Sequence, residues 1–178
     1  MTLEVVVIAA IRIAGSLPVL RWPFLGGLLA IVVDLSDLLL IEILDLGGIP
    51  DYQSFDKWLD QVYLATFLVV ALRWSDPARL IAIVLYAVRL VGFVAFEATG
   101  ERMVLLAVPN VFEFWFLLVA AVGDHRVARW SRTWLIVAVG AVAALKVLHE
   151  WALHGARLFD RIGALEALEL LWRSLTGD

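Results

Sequence analysis

The strongest constraint on this chain is a succession of apolar runs, each about long enough for a helix that crosses a lipid bilayer, separated by short polar passages. A hydrocarbon layer of about 30 Å is spanned by about 20 mostly apolar residues rising 1.5 Å each. By that ruler six runs qualify: Leu3–Leu20, Phe24–Leu44, Trp58–Trp74, Pro77–Ala98, Met103–Val122 and Ser131–Leu153. Lipid offers the backbone no hydrogen-bond partner, so runs of this length read as helices; a barrel would show short alternating segments instead. Composition agrees, because 63% hydrophobic and 18% charged residues leave an apolar excess that a soluble 178-residue domain cannot bury.

The expected fold class is therefore an all-α integral membrane protein, a bundle of about six transmembrane helices in residues 1–154. The first run is short, carries Arg12 and Gly15 and meets Pro18, so five spans plus a re-entrant or interfacial first helix is the alternative. Residues 155–178 place Leu158, Phe159, Ile162, Leu165, Leu168, Leu171, Trp172 and Leu175 at helical spacing opposite Asp160, Arg161, Glu169 and Arg173, which predicts an amphipathic interfacial helix. Asp76-Pro77 reads as a helix start, Ser131 as a cap, and Trp22, Trp58, Trp74, Trp130, Trp134 and Trp151 as interfacial anchors, with Trp115 alone placed deep.

Basic residues in short loops set an expected orientation in the cell membrane. Arg73 and Arg79 after the third span, and Arg126, Arg129 and Arg132 after the fifth, place those turns on the cytoplasmic side. Asp45, Asp51, Asp56 and Asp60 then face outward, as do both termini. Only two of the fourteen basic residues are Lys, a composition that suggests a prokaryotic gene. The opening residues lack a basic segment and an Ala-x-Ala site, so a cleaved signal peptide is not expected. No Cys is present, a net charge of −4 comes with no basic arm, and neither a disulfide framework nor a nucleic-acid partner is expected.

Function is sought where charge falls inside an apolar run, since an ionised side chain at mid-depth costs about 2.5–3.5 kcal/mol on insertion scales and is kept for a reason. Asp34 and Asp37 are one turn apart in the second run, and helical spacing puts Glu42 and Asp45 on the same broad face. Arg89, at the middle of the fourth run with Tyr86 one turn before it, is their expected partner. In the fifth run Pro109 removes an amide and disturbs the carbonyl of Leu105, while Asn110 and Glu113 share a face one turn apart; oxygen ligands beside a broken helix hold cations in many transporters. The sixth run carries Lys146, His149 and Glu150 on one face, beside a small-residue stretch at Gly140, Ala141, Ala143 and Ala144. Asp56, Asp60 and Tyr63 stack at the start of the third run and read equally as a vestibule or as a solvated helix start.

His149 and His154 are five apart, which rotates the second imidazole about 140° from the first and removes a zinc-protease reading. No phosphate loop or nucleophile elbow is evident, and no cofactor or metal is expected. The candidate ligand or ion pathway is therefore Asp34, Asp37, Arg89, Asn110, Glu113, Lys146, His149 and Glu150. Three functions fit it: cation- or proton-linked transport or permeation, an intramembrane enzyme or binding protein for a lipid or isoprenoid-like substrate, and an accessory or scaffold subunit whose charges pair with one another. Expected partners are the lipid bilayer, a cation, proton or lipid ligand, and a second copy or partner membrane subunit, because six short helices leave little protein for alternating access.

Overall fold

The computed structural model describes residues 2–44, 49 and 52–150 of the chain. Among the described residues the protein is all-helical and contains no strand. The order is α1 (Leu3–Ser16), a 3-10 turn (Leu17–Leu20), α2 (Pro23–Leu35), α3 (Asp37–Leu44), α4 (Tyr52–Ala71), α5 (Ala78–Thr99), α6 (Arg102–Ala107), α7 (Val111–Val122), the short α8 (Asp124–Val127) and α9 (Arg132–Glu150). Three stretches are long and apolar enough to cross a membrane: Leu3–Leu20, Ala78–Thr99 and Arg132–His149. The expected amphipathic tail, Asp45, Asp51, Trp151 and His154 lie outside the described residues.

Two of the expected spans are broken helices, each for a local reason. The second stops at Ser36, whose hydroxyl donates to the carbonyl of Val33 at 2.7 Å and whose amide turns onto Val32 and Val33. Asp37 then opens α3, a position favourable to a carboxylate beside free helical amides. The fifth stops at Ala107 and restarts at Val111, so Pro109 ends one helix and precedes another rather than merely kinking a span. α4, in contrast, begins at Tyr52, six residues before the expected start, and carries its charged first turns into the fold.

α4 and α7 form the middle of the bundle. Phe67 stacks on Phe116 with ring centroids 4.1 Å apart, and Trp74 stacks on Phe116 at 5.2 Å. Trp74 is thus buried with Trp115, not an anchor at the periphery, and the Trp115 indole donates to the carbonyl of Ala78. Trp22, Trp58 and Trp134 remain exposed, as amphipathic rings at an interface require. Gly26 lets α2 cross the 3-10 turn: a Cβ there would come 2.3 Å from the amide nitrogen of Val19, which no adjustment of a side chain relieves. Burial of these aromatic faces, each removing on the order of 150–250 Å² from solvent, holds the centre together. α9 packs chiefly on α7 and exposes Trp134, Ile136, Val137, Leu145, Val147 and Leu148.

The turns at residues 72–77 and 123–131 meet at one end. Asp124 accepts from the Ser75 amide at 2.8 Å and from its hydroxyl at 2.9 Å. Desolvation opposes ionisation of Asp124, but these two bonds outweigh it and hold its carboxyl below the usual carboxylate range. Ser131 caps α9 as expected, accepting from the Trp134 amide. Asp76 does not cap α5; Pro77 occupies that position, and the Asp76 carboxylate pairs with Arg79 at 3.0 Å.

Candidate functional site: two buried charge clusters joined by one helix

Asp34 and Asp37 meet Arg12, not Arg89. The Arg12 guanidinium donates through Nη1 to Asp37 and to Asp56, each at 2.8 Å, and through Nη2 to Asp60 at 2.8 Å, and its Nη2 also forms an ion pair with Asp34. A planar fork with five donors is suited to this task, since it serves several carboxylates at once and stays charged at any accessible pH. The break at Ser36 does not separate the two acids, because the last turn of α2 and the first turn of α3 both face α1 and α4.

α4 supplies the rest of the cluster. Lys57 lies 2.6 Å from Asp56 and 3.0 Å from Asp60, and Arg89 reaches Asp60 at 3.6 Å from α5. Arg89 also donates to the carbonyl of Val108 at 3.4 Å. The carbonyl exposed by the break at Pro109 and taken by a charged group is therefore that of Val108, rather than that of Leu105. Gly92 permits this approach: a Cβ there would stand 2.9 Å from the side chain of Val108.

One turn further along α4, Tyr63 enters a second cluster. Its hydroxyl donates to Glu113 Oε2 at 2.9 Å, and Asn110 Nδ2 donates to the same oxygen at 3.0 Å. Asn110 also lies 3.4 Å from the Tyr63 oxygen. Lys146 comes from α9 to within 3.4 Å of both Glu113 oxygens, and its ammonium sits 5.2 Å from the ring centre of Phe114. Asn110, Glu113 and Lys146 are all buried. The turn after the proline break presents Asn110 and Glu113 on one face, as their spacing predicts, and the ion pair with Lys146 makes burial of both charges tolerable.

Of the expected pathway residues, Asp34, Asp37 and Arg89 thus belong to the first cluster and Asn110, Glu113 and Lys146 to the second. His149 packs its ring 5.7 Å from that of Phe114, at the edge of the second cluster; the Glu150 side chain lies outside the described residues, as does that of Glu42. Arg12 was the missing member, and the signal for it was present: it is a mid-run charge by the same rule that singles out Arg89. Asp56, Asp60 and Tyr63 are not a solvated lip. Asp60 and Tyr63 are buried, and together they carry the polar stripe of α4 from one cluster to the other.

The two cavities that stand out are apolar and shallow. One, of about 480 Å³, is lined by Leu118, Trp130, Trp134 and neighbouring α9 residues; the other, of about 350 Å³, lies against α5 beside Val108. Neither is lined by a residue of the two clusters. No family model, curated protein or solved structure matches the chain.

Proposed function

We propose that the protein is a multi-pass membrane protein of about six spans that moves protons across the cell membrane along its buried charged stripe. The observation that carries this reading is the order of groups on α4, where Asp56 and Asp60 belong to the Arg12 cluster and Tyr63, one turn further on, belongs to the Glu113–Lys146 cluster. Protons pass along hydrogen-bonded acids, phenols and amines without a water-filled pore, whereas a hydrated metal ion needs a wet path; the apolar cavities favour the proton over permeation of a larger cation. The exposed apolar faces of α5 and α9 and the meeting of both Arg-bearing turns at one end support insertion with those turns on one side, the cytoplasmic one by charge.

A second reading is favoured by a specific observation: most of the buried charges contact an opposite charge within the chain, as in an accessory or scaffold subunit. The lipid-enzyme alternative has less support, because Arg89, a deep cation suited to an anionic headgroup, turns onto Asp60 and Val108. Purified protein in proteoliposomes under an imposed pH gradient separates the first two. Proton uptake by the parent that falls at least about tenfold in Glu113→Gln and in Asp34→Asn is expected. A parent indistinguishable from empty vesicles ends the transport reading and leaves the scaffold.

A further inference from the structure

The Arg12 cluster is not balanced. Its described members are four carboxylates, Asp34, Asp37, Asp56 and Asp60, and three cations, Arg12, Lys57 and Arg89. The excess is distributed unevenly. Asp60 contacts all three cations and Asp56 contacts two, while Asp34 and Asp37 have Arg12 alone. Asp34 keeps 20% of its side chain exposed, but the Asp37 side chain is 1% exposed. Its Oδ2 shares Arg12 Nη1 with Asp56, and its Oδ1 is buried with no hydrogen-bond partner among the described residues.

A buried carboxylate oxygen without a donor, in a group whose one described cation is shared, is costly, because its lost hydration is not replaced. Something positive is called for beside it. Oxygens of Asp34, Asp56 and Asp60, which all contact the same guanidinium, lie within 4.8 Å of one another, a spacing at which carboxylates share a small cation. A divalent ion would overshoot, turning an excess of one negative charge into one positive. We propose that the Asp34/Asp37/Asp56/Asp60 cluster takes up one monovalent cation from outside the chain, either a proton or a sodium ion. The groups that face it are Arg12 from α1, Lys57 and the Tyr52 phenol from α4 and Arg89 from α5.

As the load of a transporter this charge rests on the proton-transport reading; as an equilibrium site it is tested without flux, so the two fail separately. Full-length protein in detergent is melted at fixed pH in NaCl and in choline chloride of equal ionic strength, and its carboxyl absorption is followed by infrared spectroscopy from about pH 5 to 9. If sodium is the occupant, NaCl raises the melting temperature of the parent by about 5 °C or more over choline, and Asp37→Asn, which removes the excess charge at constant volume, abolishes the difference. If the occupant is a proton, the salts are equivalent and a protonated-carboxyl band titrates in the parent and is missing in Asp37→Asn. Asp34→Asn makes the same charge change at the more open carboxylate and serves if Asp37→Asn does not fold. A parent with neither response, or a response that persists in the folded variants, overturns the proposal.

Discussion

The two buried clusters solve the same problem differently. Around Glu113 a single carboxylate meets a single ammonium, two neutral donors share its Oε2, and every member is closed off from solvent. Around Arg12 the carboxylates outnumber the cations, the bonds are short at 2.8 Å, and Asp34 and Asp56 remain about one-fifth exposed. The first is a charge-balanced pair of the kind that fixes how helices pack. The second depends on one guanidinium to hold three segments of chain, α1, α2–α3 and α4, against one another, and so combines a structural duty with an unsettled charge.

That contrast is broken most forcefully at its hub. Arg12→Met leaves four carboxylates facing only Lys57 and Arg89, and removal of one partner from a buried network costs about 3–5 kcal/mol or more. The expected outcome is loss of monodisperse protein on size exclusion, or a melting temperature lower by about 10 °C or more. If Arg12→Met were as stable as Lys146→Met, the two clusters would not differ in the way described.

A smaller effect is expected at the balanced pair, where a double-mutant cycle is decisive. Glu113→Gln and Lys146→Met each strand one buried charge, while the double variant strands none, so it should recover about 1–3 kcal/mol relative to the sum of the singles. Additive losses measured by chemical denaturation would show that the 3.4 Å contact does not couple the two charges.

The smallest effect serves as an external reference, at the solvated end of the bundle. Asp124 is held below the ordinary carboxylate range, so its contribution to stability is complete above about pH 5 and is lost as pH falls through its folded value. The melting difference between the parent and Asp124→Asn should be about 2 °C or less, constant from about pH 8 to 5, and closing below about pH 4. A difference that instead grew on acidification would reverse the sign assigned to this group.

Much of the candidate site was legible before the fold was known. Asp34, Asp37, Arg89, Asn110, Glu113 and Lys146 were singled out by their depth within apolar runs, and each is in a cluster. Their partners were less legible. Arg89 was matched with Asp34 and Asp37 because it was the most central base, yet it binds Asp60. Asp56 and Asp60 looked like a solvated start because α4 begins earlier than the apolar run, which carries those charged turns down beside α1.

Sequence by itself determined the helical class, the approximate limits of most helices and the break implied by Pro109, because burial of apolar surface and the 3.6-residue period are local properties. It also placed Asp56, Asp60 and Tyr63 on one stripe of α4. Only the tertiary structure decided that Arg12 stands at the centre of four carboxylates and that Tyr63 and Lys146 meet at Glu113. Those pairings join residues 22 to 50 positions apart. They depend on the order and approach of helices, set by close contacts such as Gly26 on Val19 and Phe67 on Phe116, which no local period encodes.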